Sequence, residues 1–158
     1  MALEIERKFL INKEKWAQLN KPEGDYFRQG YILNEKKCTI RIRVTGQFAY
    51  ITLKGSTEGI SRKEFEYKIP FNDGIEILES FATTSIEKTR YKVMFGGKLW
   101  EVDEFSGENS GLLMAEIELK DENEEFLIPD WIQNEVSDDP RYYNSNLSVF
   151  PYKQWGQQ

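Results

Sequence analysis

The chain has 158 residues and carries 21 lysines and arginines against 27 aspartates and glutamates, for a formal net charge of −6. This length predicts a single domain over residues 1–158 with a substantial core, and the acidic balance argues against nucleic-acid binding. The chain has no histidine and one cysteine, which excludes an internal disulfide, histidine-dependent catalytic triads and histidine-ligated zinc. Any metal must therefore be held by oxygen ligands, which favours Mg²⁺ or Mn²⁺.

Neither a membrane span nor an export signal is predicted. No apolar run approaches the ~20 residues that a membrane-spanning helix needs. The N-terminal sequence lacks the basic and apolar regions of a signal peptide, and we therefore expect a cytoplasmic protein. The residues leave the oligomeric state open, a homodimer included.

Alternation of apolar and polar residues predicts eight strands and three short helices. The predicted strands cover residues 3–11, 26–33, 37–45, 47–54, 61–69, 86–95, 98–105 and 111–120. Asn12 is predicted to cap a helix over 13–19, Asn72 or Asp73 a helix over about 74–82, and Asp139 a helix over about 140–147. Evenly spaced strands with few helices predict a mainly β fold, either an antiparallel barrel or a strongly curved sheet.

Five of the predicted strands carry two like charges separated by one residue. The pairs are Glu4 and Glu6, Arg41 and Arg43, Glu64 and Glu66, Lys88 and Arg90, and Glu116 and Glu118. Residues i and i+2 of a strand point to the same face, so each pair projects from one side of its strand. A solvated strand face usually mixes the two signs. The sorted pattern therefore predicts a surface that holds cations and anions together, as in a metal-dependent phosphate site.

The alternation alone leaves open which strand face points inward. In one interpretation the apolar residues point inward and the charges contact water; these apolar residues are Ile42, Ile51, Leu53, Phe65, Ile117 and Leu119. In the other, seven basic and seven acidic residues line a channel, namely Lys8, Arg41, Arg43, Lys54, Arg62, Lys88 and Arg90 with Glu4, Glu6, Glu64, Glu66, Asp103, Glu116 and Glu118. Burying one unpaired ion costs several kcal/mol, so a bound metal and a polyanion would have to neutralise the two sets.

The ordered motifs resemble those of the CYTH superfamily, also called triphosphate tunnel metalloenzymes, in its short bacterial type. In chain order they are Glu4-x-Glu6-x-Lys8, Arg41-x-Arg43, Lys54, Arg62-x-Glu64-x-Glu66, Lys88-x-Arg90, Asp103, Glu116-x-Glu118, and a C-terminal segment with Arg141, Tyr142, Asn144 and Leu147. The resemblance runs from residue 1 to about 148. It implies an eight-stranded antiparallel closed β-barrel, or tunnel, with a few peripheral helices and a C-terminal helix near one mouth. It also implies that the charges lie inside and bind a triphosphate with Mg²⁺ or Mn²⁺.

Within this resemblance the residue types suggest separate roles. Arginine binds phosphate oxygens through a fixed fork and lysine as a point charge, so the expected phosphate ligands are Lys8, Arg41, Arg43, Lys54, Lys88 and Arg90. Arg62 either joins them or pairs with Glu64 or Glu66. The expected metal ligands are Glu4, Glu6, Glu64, Glu66, Glu116 and Glu118, whereas Asp103 is either a ligand or an orienting ion-pair partner. The expected catalytic set is Lys8, Arg43, Glu64 and Glu66.

The leading functional interpretation is metal-assisted hydrolysis of inorganic tripolyphosphate. Adenylate cyclase is the main enzymatic alternative, and thiamine triphosphate, nucleoside triphosphates and the RNA 5′-triphosphate are other substrates that the resemblance allows. A non-catalytic polyphosphate-binding module is the alternative from a different class. The complete set of carboxylates argues against such a module, because anion binding alone would not require so many metal ligands.

Overall fold

The computed structural model describes residues 3–157, so Met1, Ala2 and Gln158 of the predicted domain lie outside the described residues. Its strands are β1 (Leu3–Ile11), β2 (Asp25–Asn34), β3 (Cys38–Thr45), β4 (Phe48–Gly55), β5 (Ser61–Ile69), β6 (Thr84–Phe95), β7 (Lys98–Phe105), β8 (Leu113–Glu118) and β9 (Ile132–Glu135). Its α-helices are α1 (Lys13–Gln18), α2 (Phe71–Phe81) and α3 (Asn144–Leu147), with 3₁₀ turns at Gly107–Asn109, Pro140–Tyr142 and Tyr152–Gln157. Among the described residues, none of the helices is long and apolar enough to cross a membrane.

The first eight strands form a closed antiparallel barrel. Around it the order is β1-β5-β4-β3-β2-β6-β7-β8, and β8 pairs with β1 again. Closure depends on the start of β1, where Glu4 lies opposite Arg62 of β5. This confirms the predicted barrel. The added strand β9, which pairs with the end of β1, was not predicted because its four residues are too few to show alternation.

The charged strand faces point into the barrel and the apolar faces point outward, so the interpretation with an apolar interior is wrong. Much of the outward surface is nevertheless buried under other segments, whereas Phe65 on the outer face of β5 remains exposed. On one side Trp16 of α1 and Trp131 stack edge to face, with ring centroids 5.3 Å apart, above Trp100 and Ile117. On another side α2 covers the outward residues of β3 and β4. Burial of these outer layers supplies the apolar stabilisation that a charged interior cannot.

Helix α2 begins earlier than predicted, after Pro70, which makes no side-chain capping hydrogen bond. The predicted caps Asn72 and Asp73 lie inside the helix, so that prediction is wrong. The early start lets Phe71 join the apolar residues beneath the helix. Gly74 permits the close approach, since a Cβ there would lie 2.3 Å from the Cβ of Ala49.

The C-terminal segment lies across one end of the barrel, as predicted, although not as a single helix. Asp139 accepts a hydrogen bond from the backbone of Arg141 (3.1 Å) and begins the first 3₁₀ turn. Tyr143 then takes an extended conformation, which separates this turn from α3. Leu147 of α3 is fully buried against Ile86, Phe105 and Met114. These three side chains point to the same inward face as the charged residues of their strands. An apolar cluster therefore closes this end of the interior.

Candidate active site

The order of the strands sorts the interior charges by sign. Strands β8, β1 and β5 are neighbours, and their inward carboxylates form what we call the acidic wall: Glu4, Glu6, Glu64, Glu66, Glu116 and Glu118. Strands β3 and β6 flank β2, and their inward cations form the basic wall: Arg41, Arg43, Lys88 and Arg90. In the circular order β8 stands opposite β3, and β5 stands opposite β6. The two walls therefore face each other across the barrel.

Between the walls lies a cavity of about 220 Å³. Its lining contains every residue predicted for the site except Asp103. The lining also includes Tyr31, Thr39, Glu101, Asn144 and Ser145. The barrel thus brings residues from distant parts of the chain to one enclosed, strongly charged space.

Two lysines are held between the carboxylates of the acidic wall. Lys8 Nζ donates to Glu6 (2.6 Å) and lies 3.4 Å from Glu116. Burial alone would lower the pKa of Lys8, but Glu116 and Glu6 raise it overall. Lys54 Nζ bridges Glu4 at 3.1 Å and Glu64 at 3.2 Å. Both lysines therefore lie in ion pairs at the border between the acidic wall and the cavity.

The acidic wall carries more negative charge than these lysines neutralise. Burial, followed by Glu116, raises the pKa of Glu6. Burial, followed by Glu4 and Glu64, raises the pKa of Glu118. A divalent cation would relieve this repulsion, so the wall fits a Mg²⁺ or Mn²⁺ ion by the chemistry of its donors. Within residues 3–157 no three acidic side chains converge tightly enough to hold an ion by themselves, so phosphate oxygens and water would have to complete its coordination shell.

Asp103 is fully buried and pairs with the two cations of β6. Its Oδ1 accepts from Arg90 Nε (2.7 Å), and its Oδ2 accepts from Arg90 Nη2 (2.9 Å) and Lys88 Nζ (2.8 Å). Burial alone would raise the pKa of Asp103, but Arg90 and Lys88 lower it. Because both oxygens are engaged and Asp103 lies outside the cavity lining, the structure favours its predicted alternative role as an orienting partner over that of a metal ligand.

Arg41 and Arg43 of the basic wall have different surroundings. Arg41 donates to Thr52 Oγ1 (3.2 Å) and lies 3.6 Å from Glu66. Arg43 donates from Nε to the side-chain oxygen of Gln29 (2.7 Å). No carboxylate of the described chain comes within 4.0 Å of its guanidinium nitrogens, in contrast to the other six predicted phosphate ligands.

Arg62 lines the cavity and pairs with Glu4, whose oxygen lies 3.7 Å from Arg62 Nε. The predicted alternative of a pair with Glu64 or Glu66 is therefore wrong. The strand register explains the pairing, because Arg62 lies directly opposite Glu4 across the seam that closes the barrel.

Among the lining residues to which the sequence assigned no role, two contact cations of the site. Glu101 lines the cavity and accepts from Arg90 Nη1 (3.2 Å). Its signal was present in the sequence, because Glu101 and Asp103 form a further like-charge pair at i and i+2. Asn144 accepts from Lys88 Nζ (2.8 Å) across 56 residues of chain, a contact that no sequence spacing indicates.

Comparison with known proteins places this chain in a class. It matches the CYTH domain model over residues 2–143 and belongs to that family. An inorganic triphosphatase of Acetivibrio thermocellus is 52% identical over 154 residues, with 97% of each chain covered. An inorganic triphosphatase of Nitrosomonas europaea is 34% identical over 154 residues, with 92% of this chain and 97% of the relative covered. A crystal structure of an inorganic triphosphatase superposes with a TM-score of 0.65 at 32% identity, covering 94% of this chain and 96% of the other.

Replacing the buried carboxylate of Asp103 by an amide should destabilise the protein. Asp103→Asn leaves Lys88 and Arg90 without their shared anion, and removing one partner of a buried pair costs about 3 kcal/mol or more of unfolding free energy. Because the pKa of Asp103 is lowered, the loss should shrink as the pH falls towards and below the usual pKa of aspartate. Urea unfolding at neutral and acidic pH measures both effects.

Asp139→Asn is the matched control, because it changes the same atoms in an exposed ion pair with Arg141. An exposed pair contributes little to stability. Equal and small effects of the two substitutions at neutral pH would contradict the account of Asp103.

Removing one charge from the acidic wall should stabilise the protein in the absence of metal. The pKa of Glu118 is raised, so its contribution to stability is present below the pKa of an unfolded glutamate and is lost as the pH rises through the folded value. Because Glu118 is largely exposed, water screens this repulsion, and Glu118→Gln should raise the melting temperature only slightly at pH 8 in EDTA, with a still smaller effect near pH 4. Mg²⁺ should stabilise the wild type more than the variant. Glu23→Gln, in an exposed segment, is the control, and the same response in both variants would refute the crowding of charge at Glu118.

Proposed function

We propose that this protein is a Mg²⁺- or Mn²⁺-dependent hydrolase that cleaves a terminal phosphoanhydride of inorganic tripolyphosphate inside the barrel. The main support is the pair of opposed walls around a cavity of about 220 Å³. The basic wall can bind a polyanion, and the acidic wall can bind the divalent cation that accompanies it. The activity named for the two relatives points to the same substrate.

The basic wall would bind the phosphate chain. Arg41 and Arg43 can each offer parallel N–H donors to two phosphate oxygens, which fixes both position and orientation. Arg90, whose Nε and Nη2 donate to Asp103, would contact phosphate through its remaining Nη hydrogens. Lys8 reaches the cavity from β1 in the acidic wall and Lys54 from β4, which lies between the two walls, and both carry mobile charges. Burial lowers the pKa of Lys88, and a bound anion would favour its charged form. Holding the chain between fixed cations would stabilise the charge that develops on the transferred group.

The candidate metal ligands on the acidic wall are Glu4, Glu6, Glu64, Glu66, Glu116 and Glu118. A divalent ion bound there would neutralise charge on the phosphate oxygens and make water more acidic. Glu64 contacts Lys54 at 3.2 Å. Burial alone would raise the pKa of Glu64, but the hydrogen bond with Glu4 and the charge of Lys54 lower it, which suits a permanently ionised ligand better than a proton acceptor. Glu6 and Glu118, whose pKa values are raised, are better suited to accept a proton from the attacking water.

A substrate panel tests the proposal. Purified protein with Mg²⁺ or Mn²⁺ is offered tripolyphosphate, ATP, thiamine triphosphate and an RNA 5′-triphosphate, and orthophosphate, pyrophosphate and cyclic AMP are measured. We expect orthophosphate release to be fastest from tripolyphosphate and to stop in EDTA. Cyclic AMP with pyrophosphate from ATP would instead identify an adenylate cyclase. Binding of tripolyphosphate without turnover would identify a binding module, and either result would overturn the proposal.

Removing single cations of the cavity should strongly slow turnover without unfolding the barrel. Lys8→Met and Arg43→Met each remove a fixed positive charge from the proposed phosphate site, and loss of one such electrostatic contact costs about 10²-fold in turnover. Lys15→Met, on the exposed face of α1, should retain full activity. Circular dichroism verifies the fold of each variant. Unchanged hydrolysis by either cavity variant would contradict its assignment.

A further inference from the structure

Gln29 lies on the inward face of β2, the strand between the two basic strands of the barrel. It is directly opposite Arg43 of β3 and Ile86 of β6. The side chain is completely buried and does not belong to the cavity lining. Gln29 therefore lies between the two strands of the basic wall, close to the backbone, where the longer cationic side chains separate it from the cavity.

The contact of Gln29 with Arg43 differs from the other contacts of the tunnel cations. Lys8, Lys54, Lys88, Arg41, Arg62 and Arg90 each lie within 4.0 Å of a carboxylate. Arg43 instead donates from Nε to the neutral amide oxygen of Gln29 at 2.7 Å. Its guanidinium also stacks 4.7 Å from the ring centroid of Phe27, two residues before Gln29. Strand β2 thus fixes the direction of the fork without supplying a negative charge.

A neutral acceptor has an electrostatic consequence that a carboxylate would not have. Burial, followed by the nearby charges of Arg41 and Arg90, lowers the pKa of Arg43, and the more distant Glu66 and Asp103 offset this only in part. Its Nη donors face a space lined by other charged groups. An entering phosphate can satisfy this charge without first displacing a carboxylate, whereas the other cations must exchange partners.

Stability alone does not explain an amide at this position. The side-chain nitrogen of Gln29 is buried and has no hydrogen-bond acceptor among the described residues. An unsatisfied buried donor is unfavourable, and a glutamate of the same shape would remove it while keeping the acceptor for Arg43 Nε. A buried polar group that costs stability requires another reason for its presence.

We propose that Gln29 is a positioning residue, which holds the Arg43 guanidinium through a neutral acceptor so that its charge remains available to the substrate. This inference rests on the proposed triphosphatase function. Gln29 acts through Arg43 and does not itself touch the substrate. At this point of the tunnel the Arg43 guanidinium is fixed in direction, has no carboxylate partner and can bind a phosphoryl oxygen.

Two substitutions separate positioning from packing. Gln29→Met keeps the length of the side chain and removes both the acceptor and the unsatisfied donor. Gln29→Glu keeps the shape and pairs Arg43 with an anion. We expect a melting temperature at or above the wild-type value for Gln29→Glu, and one near or below it for Gln29→Met, because methionine removes one unsatisfied donor but leaves Arg43 Nε without its acceptor. We expect tripolyphosphate to bind about 10-fold more weakly to Gln29→Met and at least 100-fold more weakly to Gln29→Glu, measured by titration calorimetry in EDTA. Gln18→Met, on exposed α1, should bind as the wild type does.

A double-substitution cycle tests whether Gln29 acts through Arg43. When Arg43 is already methionine, Gln29→Met should cause no further loss of tripolyphosphate affinity or of kcat/KM. Additive losses in the cycle, or an affinity that simply follows the melting temperature, would overturn the inference. So would wild-type affinity in Gln29→Glu.

The same measurements distinguish a failure of this inference from a failure of the proposed function. A wild-type protein that binds tripolyphosphate without hydrolysing it overturns the triphosphatase assignment, while the affinity order of the Gln29 variants still supports the positioning role. A wild-type protein that hydrolyses tripolyphosphate with Gln29 variants of unchanged affinity overturns the positioning role alone. Absence of both binding and hydrolysis overturns both.

Discussion

Charges inside a closed barrel must be compensated at short range, because water cannot solvate them fully and an isolated buried ion costs several kcal/mol. Here the compensation is set by topology. Strand β1 closes the barrel by pairing with both β5 and β8. The resulting circular order places the acidic wall on β8, β1 and β5 across the barrel from the basic wall on β3 and β6. Apolar burial, which most domains place at the centre, is moved to the outer layers under α1, α2 and the tryptophan cluster. The barrel interior is therefore a cavity lined by ordered charges, where most domains have an apolar core.

The compensation is incomplete at particular points, and those points indicate what the cavity binds. Asp103 satisfies the two cations of β6 from behind and keeps them oriented. Arg43 receives only a neutral partner, and Glu118 faces other carboxylates. An anion at the basic wall and a divalent cation at the acidic wall would remove both imbalances at once. The same imbalances make the free protein less stable than an apolar barrel would be, so stability and binding are coupled through one set of charges.

Much of this site could be predicted from the sequence because a strand has a side-chain period of two. That period alone placed each like-charge pair on one strand face, and the resemblance resolved the direction inward. The contacts that sequence spacing could not show depend on distant segments or on neutral residues. The pairing of Arg62 with Glu4 depends on the register at the closing seam, and Asn144 reaches Lys88 only because the C-terminal segment crosses the barrel end. Gln29 gave no signal, since a lone amide between Arg28 and Gly30 has no recognisable pattern.

Local structure was harder to predict where the chain is short or irregular. Strand β9 has four residues, and the segment after Asp139 divides at Tyr143 into a 3₁₀ turn and α3. In both cases tertiary packing against β1 or the apolar cluster around Leu147 decides the conformation, and intrinsic propensity contributes little.

The most direct test of the opposed walls is a crystal structure of the protein with tripolyphosphate and Mn²⁺, using the anomalous signal to locate the metal. The account predicts that phosphate oxygens contact Arg41, Arg43 and Arg90, and that the Mn²⁺ peak lies between the phosphate chain and carboxylates of the acidic wall. Tripolyphosphate bound on the outer surface, with the interior charges still paired only to one another, would contradict it.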